Sequence, residues 1–205
     1  MPGGTLRVAI FVFDGVDELD AVGPYEVFSN GERAGAPIEV RLVTLEDRDE
    51  VVGSHGLRIR PDGAWDGEAD LVVVPGGGWN DRGPEGAWAE AQRGDLPRAL
   101  AEHASGGGHV ASVCTGGMLL AAAGVVAGRP VTTHARARDE MREAGADVRH
   151  DRVVDHGDLI TAGGVTSGID LALWLLEREF GERVADAVAQ EMEYERVAAV
   201  RAAEA

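Results

Sequence analysis

The chain has one cysteine and no lysine; all 19 of its basic residues are arginine. A single thiol excludes an internal disulfide framework and points to a reducing compartment, so a cytoplasmic protein is expected. There is no C-x-x-C and no H-x-x-x-H among the six histidines, which argues against zinc. No apolar run is long enough to span a bilayer, and the opening "MPGGTLRVAIFVFDG" reaches Asp14 too early for a secretory signal. Against these absences stands a formal charge of −17. Such a surface repels phosphate backbones and anionic membranes, so neither nucleic acid nor membrane is an expected partner. It suits a salt-rich, halophilic cytoplasm, although GC-rich coding bias would also favour arginine over lysine.

The 205 residues are 44% hydrophobic, enough for one domain spanning 1–205 with a sizeable core. Short β-branched runs alternate with helical patterns. Strands are expected at 6–13, 38–46, 69–78, 109–113 and 129–134. A hairpin is expected around "GSHG" (51–62), and two or three short strands at 147–164. Helices are expected over 17–35, with a kink or restart at Gly23-Pro24, and over 84–107, with breaks near Gly94 and Pro97. Others follow the cysteine, cover 135–146, and fill 166–181 and 182–197. This alternation predicts an α/β sandwich around a mostly parallel sheet, whose ligands sit at the carboxyl ends of the strands. Three glycine-rich loops fall there and could converge: "PGGG" (75–78), "CTGG" (114–117) and "AGGVTSG" (162–168).

Cys114 stands where a strand-like segment joins a helix-like one. A lone cysteine is commonly a small buried hydrophobe. At a tight strand-to-helix turn, however, a thiol is held out over the sheet edge and the helix N-terminus lowers its pKa. Small neighbours permit the turn, and the amide of Thr115 is free to face an oxyanion, which favours a reactive Cys114. Asp20, between Leu19 and Ala21, is either a solvated helix acid or cap, or a carboxyl beneath the turn that shares a proton with the thiol. Its neighbours Asp17 and Glu18 are expected to face solvent. The glycines of "PGGG" permit close backbone approach, with Gly76, Gly77 and Gly78 candidates to line the site. His134, at the end of "VTTH", could reach it; His55 falls in the hairpin turn. "GGVTSGID" lacks a P-loop lysine and reads as a turn with Thr166 or Ser167 capping the next helix.

Together, "LDAVGPYEVF", "DLVVVPGG", "SVCTGG", "VTTH" and "LITAGGVTSGIDLALWLLEREFG" resemble the ThiJ/PfpI family. Its fold is the flavodoxin-like three-layer sandwich shared with class I glutamine amidotransferases. Within the family the set is most similar to isocyanide hydratases, and also to the amidase-like domains of AraC-type regulators. The resemblance implies Cys114 as nucleophile, Asp20 as proton carrier, and the backbone amides of Gly77 and Thr115 as oxyanion hole. It implies a homodimer, a small electrophilic substrate, and no metal or organic cofactor. Deglycase and glyoxalase relatives carry glutamate where Asp20 stands. The intracellular-protease branch carries histidine where Thr115 stands, and the regulators append a helix-turn-helix for which 205 residues leave no room. Hydration of an isocyanide is therefore the leading expectation. A deglycase acting on 2-oxoaldehydes and a redox-sensing or stress-response protein are the alternatives.

Overall fold

Strand β1 (Leu6–Phe11) is, beyond Arg7 near its start, apolar on both faces, as a parallel strand covered by helices must be, and it lies inside the sheet. The computed structural model describes residues 4–197 and 200–202. Around β1 run β2 (Ile38–Thr44), β5 (Gly63–Ala64), β6 (Leu71–Val74), β7 (His109–Ser112), β10 (Val153–His156), β11 (Leu159–Ala162) and β12 (Val200–Ala202). Their order is β12-β10-β11-β7-β6-β1-β2-β5. From β11 to β5 every pairing is parallel, and β10 pairs antiparallel with β11. The order reverses at β1, which pairs with β2 on one side and β6 on the other, so crevices open at the carboxyl ends of these strands.

One face carries α1 (Glu18–Arg33), α6 (Ser167–Phe180) and α7 (Glu182–Glu191), packed on one another. The other carries α2 (Ala87–Arg93), α3 (Asp95–Ser105) and α4 (Gly116–Ala122), with α5 (Arg138–Glu143) against α4. This is the expected flavodoxin-like three-layer sandwich. Two small sheets stand apart: the antiparallel pair β3 (Val51–Val52) and β4 (Arg58–Ile59), and the parallel pair β8 (Pro130–Val131) and β9 (Asp147–Val148).

Several boundaries differ from expectation for identifiable reasons. Helix α1 runs unbroken through Pro24, because tertiary packing outweighs the hydrogen bond the proline removes. A Cβ on Gly23 would lie 3.2 Å from Ile169, and one on Gly31 2.9 Å from Leu176. These two glycines, about two turns apart, let α1 approach α6. Gly94, at φ 81, does separate α2 from α3, but Pro97 falls in the first turn of α3, where its missing N–H breaks no helical bond. Helix α7 ends at Glu191 rather than 197, after which Tyr194 turns back to hydrogen-bond Asp170. The strand expected at 129–134 stops at Val131 and pairs with β9, outside the main sheet.

Candidate active site

The chain leaves β7 and turns sharply into α4, with Cys114 at the corner at φ 58. This left-handed conformation is costly for a residue with a Cβ and must be held by its surroundings. The Cys114 amide donates to Gly163 O at 2.7 Å and to Ala162 O at 3.2 Å. The Cys114 carbonyl accepts from Thr133 Oγ1 at 2.8 Å and from His134 N at 3.4 Å. Opposite it, a Cβ on Gly76 would stand 2.5 Å from Thr115 N and closer still to Thr115 Oγ1, so only glycine fits. The three glycine-rich loops thus meet at this corner.

Asp20 lies in the first turn of α1, fully buried. Its Oδ2 accepts the Gly76 amide at 2.9 Å, while Oδ1 has no regular hydrogen-bond partner. The Cys114 thiol lies close enough to act on its titration. Burial, and next the negative charge of Asp17, push the Asp20 pKa up to about 8, against the opposing pull of the Gly76 amide and the thiol. Burial, then the Asp20 charge, push Cys114 up to about 12; the amides of Val165 and Thr115 directed at the sulfur oppose this. The expected acidic, exposed thiol is therefore corrected. Cys114 is only 6% exposed, and desolvation outweighs the amides of Val165 and Thr115. At neutral pH the pair predominantly holds both protons.

The other predicted residues take distinct places. Gly77 N donates to Thr115 Oγ1 at 3.0 Å, so the amide assigned to an oxyanion hole is already engaged here. The Gly76 amide is likewise held by Asp20. The amides that face the sulfur are those of Thr115 and Val165. Val165 gives no signal in the sequence, because a β-branched residue at φ 40 is not what local preference predicts. Gly78, at φ 66, packs on the backbone of Glu85 and Gly86 and sets the path of its loop. His134 is half-buried with its ring against Gly164, where a Cβ would come within 2.8 Å of Cδ2. Burial, then Arg136 and Arg138, lower its pKa. Nδ1 accepts the Arg136 amide at 3.2 Å, which assigns the proton of the neutral ring to Nε2. Thr166 does not cap α6 with its side chain; Thr166 Oγ1 accepts from Arg152 instead.

Glu18 is also corrected: it is buried, not solvated. Its Oε1 accepts the amides of His55 at 2.7 Å and Leu57 at 3.3 Å, and its Oε2 lies 2.6 Å from His55 Nδ1. Asp17 instead caps α1, accepting the Leu19 amide. Ligand atoms of Asp17, Glu18 and His55 come within 4.8 Å of one another, but a cation there would have to displace the hydrogen bonds that Glu18 already accepts. No helix among the described residues is long and apolar enough to cross a membrane.

Comparison with known proteins places the chain in a family. An isonitrile hydratase of Pseudomonas putida is 36% identical over 192 residues, covering 92% of this chain and 78% of the relative. A deglycase of Thermococcus kodakarensis is 29% identical, covering 84% of this chain and 96% of the relative. The crystal structure of a ThiJ/PfpI family protein from Pseudomonas syringae superposes with a TM-score of 0.82 at 27% identity, covering 94% of this chain and 76% of that one. The DJ-1/PfpI family model matches residues 6–178, and the chain belongs to that family.

Proposed function

We propose that the protein hydrates an isocyanide to an N-substituted formamide through a covalent adduct on Cys114. The observation that carries this reading is the buried Asp20 carboxyl against the thiol, its pKa pushed up to about 8. A group that titrates near neutrality both takes and returns a proton during turnover. The terminal carbon of an isocyanide is electrophilic and becomes carbanion-like once sulfur adds, so it needs an acid beside the nucleophile. The Asp20 Oδ1 atom, lacking a hydrogen-bond partner, is the available position for that proton.

In the first step the ionised fraction of Asp20 takes the thiol proton as the S–C bond forms, then delivers it to the former isocyanide carbon, giving a thioimidate. In the second, Asp20 takes a proton from water as the hydroxyl adds to that carbon, and returns it to nitrogen. In the third, Asp20 accepts the hydroxyl proton as the carbonyl forms and the C–S bond breaks, and the departing sulfur recovers it. The net change is isocyanide plus water to formamide, with no oxidant and no cofactor. The Thr115 and Val165 amides stabilise the leaving thiolate. A homodimer acting on a small, uncharged electrophile belongs to the same reading.

The relative from Pseudomonas putida supports the isocyanide, and the deglycase relative sets the competing substrate class. The test is a panel of alkyl and aryl isocyanides beside 2-oxoaldehydes, with formamide quantified by chromatography and Cys114→Ala as control. Formamide production by the native chain and none by Cys114→Ala is expected. Consumption of 2-oxoaldehydes alone, or hydration by Cys114→Ala, overturns the proposal.

A further inference from the structure

The Gly163–Thr166 loop holds Cys114 through the Gly163 carbonyl and the Val165 amide, and one residue outside the site grips both ends of that loop. Arg152 O accepts the Gly163 amide at 2.9 Å, and Arg152 Nη2 donates to Thr166 Oγ1 at 2.9 Å. Between these two bonds lie Gly163 O, which accepts the Cys114 amide at 2.7 Å, and Val165 N, directed at the sulfur. Val165 at φ 40 does not hold itself in this conformation, since a β-branched side chain is disfavoured there. The Arg152 guanidinium is in turn fixed from below. Its Nε donates to Asp170 Oδ2, and Asp170 is 3% exposed and accepts Tyr194 Oη at 2.9 Å and Val197 N at 3.3 Å. Tyr194 Oη also accepts from Arg152 Nη2 at 3.4 Å.

We infer that Arg152 is a positioning residue for Cys114: by clamping Gly163 and Thr166 it holds the Val165 amide on the sulfur. The inference rests on the reading of Cys114 as nucleophile, but its physical content is the electrostatic environment of the thiol, which is measurable without any substrate. An N–H directed at sulfur favours the thiolate, so loosening the loop raises the thiol pKa. Lost Arg152–Thr166 contact therefore shifts the ionisation of Cys114 upward rather than only lowering stability.

Two variants address this. Arg152→Gln removes the guanidinium but leaves Asp170 without its cation, so it is prone to misfold. Thr166→Val removes only the acceptor for Nη2 and leaves the Arg152–Asp170 pair whole. The readout is the second-order rate at which iodoacetamide alkylates the single cysteine at a fixed pH near 8, which follows the thiolate fraction. In Thr166→Val the rate is expected to fall by about three-fold, the loss of thiolate being partly offset by the greater nucleophilicity of a more basic sulfur. Thr166→Ser, which restores the acceptor, is expected to return it to the native value. If Arg152→Gln folds, the double variant is expected to be no slower than the slower single variant, because both remove one interaction. An unchanged or faster rate in Thr166→Val, or losses that multiply in the double variant, overturns the inference. Failure of isocyanide hydration with the slowed alkylation intact overturns only the proposed function.

Discussion

Glu18 Oε2 and His55 Nδ1 stand 2.6 Å apart, joining the first turn of α1 to the tip of the β3–β4 hairpin. Burial pushes the Glu18 pKa up, but the hydrogen bonds from the His55 ring and from the His55 and Leu57 amides prevail and hold it at about 2. The His55 pKa is raised by its hydrogen bond to Glu18 and by that residue's charge. The depressed carboxyl contributes stability above its unfolded pKa of about 4.5, lost as pH falls toward 2. The raised imidazole contributes below about 6.5, lost as pH climbs through its folded value. The joint contribution is therefore greatest between about pH 4.5 and 6.5. Glu18→Gln is expected to lower Tm most inside this window. A Tm difference that is flat with pH would show that the pair does not titrate as described.

The contrast between this pair and Cys114 shows which features are legible in the sequence and which are not. A strand-to-helix turn is local chemistry: Ser112 through Gly117 announce it with small residues, and the structure has its corner at Cys114. The order of strands and helices follows from periodicity for the same reason. Burial, by contrast, depends on what packs from elsewhere. Glu18 reads as a solvated helix acid because its partners come from a hairpin 37 residues later. Local reasoning lowers the thiol pKa, whereas the fold raises it, because the carboxyl and the apolar walls around Cys114 are contributed by distant segments. Val165 and the Arg152 clamp leave no pattern at all, since a backbone amide carries no residue identity.

Thr115 offers a test of the loop geometry. Its Oγ1 accepts the Gly77 amide at 3.0 Å. Thr115→Val keeps the shape and removes the acceptor, leaving that amide unpaired at a cost of about 1–2 kcal/mol. Thr115→Ser keeps the acceptor and is expected to stay within about 0.5 kcal/mol of the native chain. Urea unfolding distinguishes them; equal stability of the two variants would mean that the Gly77 amide finds another partner.

Gly76 tolerates nothing larger. A Cβ there would stand 2.5 Å from Thr115 N, closer still to Thr115 Oγ1, and 2.8 Å from Gly116 N, all three in the turn that carries Cys114. Gly76→Ala must separate the two loops, at a cost of about 3 kcal/mol or more, and breaks the amide bond to Asp20. Loss of soluble protein, or a Tm lower by roughly 6–12 °C, is expected. A variant that melts with the native chain would contradict the close approach.

Salt acts on the surface in two opposing ways. Exposed pairs such as Arg98–Asp95 and Arg142–Asp139 are each worth at most about 1 kcal/mol and weaken on screening. The net charge of −17 repels itself over the whole molecule, and screening relieves it. The second effect involves many more charges and prevails. Raising KCl from low to molar concentration is expected to add roughly 2 kcal/mol, or about 4–8 °C in Tm. A Tm unchanged or lowered by salt would remove the argument for a salt-rich setting.

Asp20 yields the sharpest test, because its two roles move in opposite directions on substitution. Its pKa is 3.8 in the unfolded chain and about 8 when folded. Between those values the folded chain binds the extra proton, so stability is fully present below about pH 4 and falls as pH rises toward 8. An asparagine at this position would keep an acceptor for the Gly76 amide and never ionise. Asp20→Asn is therefore expected to match the native Tm near pH 4 and to exceed it progressively up to about pH 8, by about 1–4 kcal/mol at most. The same variant cannot carry protons between sulfur, carbon and water, and its hydration rate is expected to fall by roughly a hundred-fold to ten-thousand-fold. A gain in stability with a loss of turnover is the signature of a carboxyl buried for chemistry at the expense of the fold. A variant that is less stable at pH 8, or one that retains native turnover, would place the proton transfer on another group.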